Sequence, residues 1–234
     1  MFAKPSLFVL SISAVLAACG GGGGGGADSG PKEASTMTFN VKSAYINELT
    51  SSSKNNFGVS GKINGYDVTG TGSITSGGLS QDVFENKSAL AQTSVISMTL
   101  MGNGQTIPVN TSTTAYYDSN YNYLGSLTDE YTVATSITNL PTAAKINDTG
   151  VVYTANIYPT RAKSYLSGTE TTVYSLDSDT NTTAILTLTT TKRDSSGASI
   201  ALQSERLRLT TTGTVQRLDS TYTSPSQIIK INFN

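Results

Sequence analysis

Apolar residues recur at every second position along most of this 234-residue chain. Turn-forming residues interrupt them at intervals of roughly 8–15 residues. No other feature restricts the fold as much, because a period of two belongs to strands with one buried face. Phe57, Val59, Gly61 and Ile63 alternate up to Asn64-Gly65, and Tyr66, Val68, Gly70, Gly72 and Ile74 alternate away from it. Asn-Gly between alternating runs predicts a tight hairpin, since both turn residues need positive φ. Asn103-Gly104 separates Ser94, Ile96, Met98 and Leu100 from Ile107, Val109, Thr111, Thr113, Ala115 and Tyr117 in the same way. Gly70 and Gly72 suggest a bulge or bend, and Pro108 suits an edge or early strand position.

Beyond Pro159, runs at 169–176, 183–191, 200–210, 215–222 and 228–233 continue as an up-and-down series. A first strand is expected where Met37, Phe39, Val41 and Tyr45 fall in phase. No helix of useful length is expected; the nearest candidate, residues 84–92, lacks a convincing cap. The prediction is all-β, an antiparallel meander forming a β-sandwich or an open barrel.

The N-terminal residues follow different rules. Lys4 precedes an apolar run at 7–16 and the small residues Ala17 and Ala18. That run is too short to span a hydrocarbon core, which takes about 20 residues, and has the layout of a secretory signal. Leu16-Ala17-Ala18-Cys19 resembles the lipobox of bacterial lipoproteins. The resemblance implies that Leu16, Ala17 and Ala18 are recognition positions and that Cys19 is cut free and acylated. Gly20, in place of aspartate, implies sorting to the outer membrane. Residues 1–18 are thus expected to be a signal peptide and 19–35 a lipidated cysteine with a flexible glycine-rich linker. About 20–25 Å of reach follows from that linker length. Residues 36–234 form the β-rich domain, with a possible weak subdivision within 118–130.

Several chemistries are excluded by what the chain lacks. There is no histidine and no tryptophan, and Cys19 is the only cysteine. Histidine-dependent triads and His-based zinc sites are therefore impossible. A net charge of −1 gives no reason to expect nucleic acid. No cofactor is expected. Enzymes using paired carboxylates or Ser-Lys remain open, with no local motif pointing to them.

The remaining candidates are local clusters. Asp118, Asn120, Asn122 and Asp129 have spacing that loosely mimics a calcium loop, but Tyr123 holds the position where such a loop needs glycine. Asp and Asn are also turn formers, so a turn is the alternative. Asp177, Asp179 and Asn181 look like a hairpin loop. Tyr116, Tyr117, Tyr121 and Tyr123 are either a protein- or glycan-contact patch or cover for one end of the core. Lys192-Arg193 and Glu205-Arg206-Leu207-Arg208 suggest cross-strand pairs on a solvated face, or a patch for an acidic partner. The threonine-rich segment 182–192 could pair with another chain if it lies at an edge.

The functional expectation is a lipid-anchored cell-envelope protein of the bacterial outer membrane with a non-enzymatic binding or structural role. Its partners would be the membrane, through acyl chains on Cys19, and a protein or glycan. The alternative is a carrier holding a lipophilic ligand in an open barrel.

Overall fold

A computed structural model describes residues 35–234. Leu16 to Cys19, Gly20 and most of the linker lie outside the described residues. The described chain begins with one helix, α1 (Val41–Thr50), followed by strands only. These are β1 (Ser53–Ile63), β2 (Tyr66–Ser76), β3 (Ser80–Phe84), β4 (Lys87–Gly102), β5 (Gln105–Tyr117), β6 (Tyr123–Leu127) and β7 (Tyr131–Ile137). They continue as β8 (Thr149–Tyr158), β9 (Gly168–Ser178), β10 (Thr183–Asp194), β11 (Ser199–Thr210), β12 (Val215–Ser224) and β13 (Gln227–Phe233).

Consecutive strands pair antiparallel except β2 with β3, β1 pairs with β13, and β2 pairs with β4 from Val68↔Gly102 to Ser76↔Ser94. The result is a closed barrel of twelve strands with β3 as an extra strand on β4. The all-β meander is as predicted, in a barrel form that is closed rather than open. Asn64-Gly65 and Asn103-Gly104 make the expected turns, with φ of 51° and 83°, and of 49° and 69°.

Pro108 also behaves as predicted. Below Thr114, β5 has β4 as its only strand partner, because β6 pairs with Thr114 to Tyr117 alone. Pro108 therefore lies on a local edge, where a missing N–H costs no ladder bond. Gly70 and Gly72 cause no register shift. Their reason is packing: a Cβ on Gly72 would lie 2.5 Å from Met98 Cβ and 2.7 Å from the Phe57 ring.

The strand expected at residues 37–45 is a correction, as is the expected absence of a helix. Only Phe39 bridges, to Ala144, before the chain turns into α1. Asn40 caps the helix, its Oδ1 accepting from the Ser43 amide at 2.9 Å. Val41, Ala44, Tyr45, Glu48 and Leu49 are its buried residues, spaced three and four apart as one helical face requires. The segment 182–192 is a second correction: β10 is paired along its length with both β9 and β11, so it is no edge.

The lumen is solid. At one end α1 packs among Ala115 and Tyr117 of β5, Tyr153 of β8, Leu176 of β9, Leu186 of β10 and Leu207 of β11. Gln92 of β4 donates to the Leu49 carbonyl at 2.9 Å, satisfying a carbonyl at the helix C-terminus. Elsewhere Phe57, Ile74, Ile96, Met98, Ile229 and Ile231 close the barrel on an aliphatic core. Many outward positions are polar, as with Thr187, Thr189 and Thr191 of β10 and Thr93, Ser97 and Thr99 of β4, interspersed with exposed Val95, Met101, Leu202 and Ile228.

Candidate functional site

The four tyrosines divide between two cores. Tyr117 and Tyr123 face the lumen in an aromatic chain: Tyr45 to Tyr117 at 6.5 Å, Tyr117 to Tyr123 at 6.2 Å, and Tyr123 to Tyr153 at 4.2 Å. Burial pushes the Tyr117, Tyr123 and Tyr153 phenols well above their ordinary range. Tyr116 lies on the outer face, stacked under Phe84 at 4.6 Å, and its hydroxyl accepts from Arg161 Nη2 at 3.0 Å. Tyr121 is half-buried beside α1, in the lining of a cavity of about 10 Å³. Of the two readings of this cluster, cover for the core is the one that fits these three buried rings.

Asp118 is a turn residue. Its Oδ1 accepts from the amides of Asn120 and Asn122 at 2.8 and 2.9 Å, and its Oδ2 from Asn122 Nδ2 at 2.9 Å. Asp129 sits apart, between β6 and β7. Among the described residues no three acidic, histidine or cysteine side chains converge on a metal position.

The charged pairs split in the same way. Arg206 meets Asp219 at 3.1 Å on the solvated face, as expected. Arg208 reaches Asp179 at 2.7 Å, where that aspartate also accepts from Thr183. Lys192 and Glu205 are corrections: both turn inward.

Glu205 of β11 joins Arg217 of β12 and Glu48 of α1 in a cluster that ties the helix to the barrel wall. Arg217 Nε lies 3.4 Å from Glu48 Oε1, and Arg217 Nη2 lies 3.5 Å from Glu205 Oε1, with all three side chains at most 9% exposed. Nη2 makes no hydrogen bond. The guanidinium also faces the Phe233 ring at 5.2 Å. Burial raises the Glu205 carboxyl to about 7, opposed by Arg217 and reinforced by Glu48. The Glu205 carboxyl therefore gains its proton as pH falls through about 7.

A second cluster lies on β9 and β10. Glu170 is 1% exposed and accepts from the Tyr153 hydroxyl at 3.2 Å. Lys192 Nζ donates to Glu130 Oε2 at 2.9 Å. Burial raises the Glu170 carboxyl. Burial alone would lower the Lys192 ammonium, and the nearby Glu170 and Glu130 carboxylates more than reverse it. Both clusters read as internal ion pairs of the fold.

The concavity with room for a ligand is on the outer surface, across β1, β2, β4 and β5, with a volume of about 490 Å³. Its lining follows the register. Asn56, Ser73, Ser97 and Asn110 form one cross-strand row, and Thr71, Thr99 and Pro108 the next, with Gly58 beside Thr71 at the border and Phe57, Gly72, Met98 and Asn234 completing the lining. No side chain lining it is charged. The Lys62–Asp67 pair, at 2.6 Å, closes the face toward the first hairpin turn.

Gly58 stands out here. A Cβ at this position would meet no atom within 4 Å, and its φ is not in the left-handed region. Neither packing nor conformation requires glycine, yet glycine within a strand costs roughly 0.5–1 kcal/mol. The sequence alternation marked Gly61, Gly70 and Gly72 but passed over Gly58, because it falls on the polar face.

No family model, curated protein or solved structure matches this chain.

Proposed function

We propose that this protein is a lipid-anchored component of the bacterial outer membrane whose barrel serves recognition through its outer surface, without catalysis. The filled lumen carries the recognition half of this reading. Leu49 of α1, Tyr117, Tyr153, Leu176, Leu186 and Leu207 fill the lumen at the helix end, each at most 1% exposed. A lipophilic cargo could enter only if α1 left, which would expose Val41, Ala44 and Leu49, each 0% exposed. The barrel architecture suits binding, and the filled lumen leaves the outer face as the place for it.

The LAAC motif at 16–19 supports the anchor half, with Cys19 as the acylated residue and Gly20 directing outer-membrane sorting. Among the described residues no helix is long and apolar enough to cross a membrane. Acyl chains would then supply the attachment, each buried CH₂ contributing about 0.8 kcal/mol. Fractionation of cells expressing wild type and Cys19→Ser tests this half. Wild type is expected in the outer-membrane fraction and the variant outside it; equal retention of both refutes the anchor.

A further inference from the structure

We infer that the concavity on the outer face of β1, β2, β4 and β5 is a binding site for a short neutral oligosaccharide. This rests on the recognition half of the proposed function and is independent of the anchor.

Three observations carry it. The lining presents carboxamides at Asn56 and Asn110 and hydroxyls at Ser73, Ser97, Thr71 and Thr99. Each group can both donate and accept, which is the complement of a sugar hydroxyl. A charged ligand would find no opposite side-chain charge in the lining to offset its desolvation. The size also fits: four strands spaced about 4.8 Å apart carry these groups over about 14 Å, the length of a few sugar rings.

Gly58 is the second observation. It lies in the same row as Thr71 and Thr99, with nothing above it, and its missing side chain keeps that part of the face open. With no bulge or shift in register at Gly58, close approach of another molecule at the concavity's border is the remaining use of a strand glycine there.

Pro108 is the third, and it separates a glycan from a peptide. The open edge of β5 borders the concavity, and an extended peptide would bind there by adding a strand. Pro108 removes an N–H from that open edge, whereas its apolar ring can lie against the apolar face of a sugar.

The test uses the full chain in detergent, titrated with a panel of short neutral oligosaccharides (glucans, mannans, galactans and N-acetylglucosamine oligomers) and followed by calorimetry. Charged oligosaccharides and a threonine-rich extended peptide serve as comparison ligands. At least one neutral oligosaccharide is expected to bind. Gly58→Val should weaken it by roughly tenfold or more by filling the face, and Asn110→Ala by a smaller factor. Valine at 58 has open space and suits a strand, so the variant's thermal midpoint should equal or exceed that of wild type. Thr189→Val, on the outer face of β10, should bind as wild type does. No neutral oligosaccharide bound, or binding of the charged panel or the peptide alone, overturns the inference. Binding equal in wild type and Gly58→Val also overturns it, while leaving outer-surface recognition standing.

Discussion

The barrel contains two buried clusters in which a pair of carboxylates shares one cation, and solvent treats them differently. In the cluster of Glu170, Lys192 and Glu130, the Glu130 side chain is 41% exposed. Water screens it, and the dry acid of this cluster is Glu170, 1% exposed. In the cluster of Glu48, Arg217 and Glu205 the two carboxylates are 2% and 9% exposed, so water screens neither. Burial raises the Glu205 carboxyl there to about 7. Burial thus raises a carboxyl in each cluster, Glu170 on β9 and Glu205 on β11, but only the second cluster holds two dry carboxylates and ties α1 to the wall. The position of one carboxylate relative to the rim makes the difference.

Removing the cation should break the comparison most visibly. Arg217→Met leaves Glu48 and Glu205 facing each other without their shared guanidinium, a defect worth about 3–5 kcal/mol when both are ionised. Urea unfolding at pH 8 should show that loss, and at pH 5, where Glu205 is already neutral, a smaller one. Equal losses at both pH values would mean that the two acids do not share one charge. Lys192→Met should cost less, about 2–3 kcal/mol, because only Glu170 is left dry while Glu130 stays hydrated. Its loss at pH 8 should fall below that of Arg217→Met in the same titration.

Parts of this arrangement were legible in the sequence. Lys192 follows Ala184, Leu186, Leu188 and Thr190 in one phase, and Glu205 precedes Leu207 and Leu209 in another. Both phases point inward, yet charge alone suggests a solvated face. Arg217 was hidden by a bulge. Leu207 pairs with Arg217 and Arg206 with Asp219, so Leu218 is the extra residue, and Arg217 and Asp219 face opposite sides despite their two-residue spacing. Local turn chemistry gave the hairpins at Asn64 and Asn103. Barrel closure was not legible, because the β2–β4 pairing steps across β3 and depends on contacts that no local pattern encodes. The helix was missed because Met37, Phe39 and Val41 alternate convincingly up to its first residue. The 3.6-residue spacing of Val41, Ala44, Tyr45, Glu48 and Leu49 was visible but included a glutamate on the apolar face. That glutamate is the one bound to Arg217, so the exception to the pattern was itself the contact with the wall.

The same substitution applied to each cluster should have opposite signs. The Glu205 carboxyl titrates near 7 in the fold and near its ordinary 4.5 when unfolded. The folded state therefore binds the extra proton between these values, and stability from this group is full below pH 4.5 and lost as pH rises through 7. Glu205→Gln removes the charge while keeping a hydrogen-bonding group beside Arg217. It should raise stability by about 1–2 kcal/mol at pH 8 and change little at pH 5. The decline of the wild-type unfolding midpoint between pH 5 and 8 should flatten accordingly. Glu130→Gln removes the hydrated carboxylate from Lys192, and with 41% exposure its loss should stay below about 1 kcal/mol. A gain at 205 with a small loss at 130 follows only if solvent access separates the clusters. Losses at both positions would show that Glu205 is ionised and fully paired at neutral pH, and the two clusters would then be equivalent.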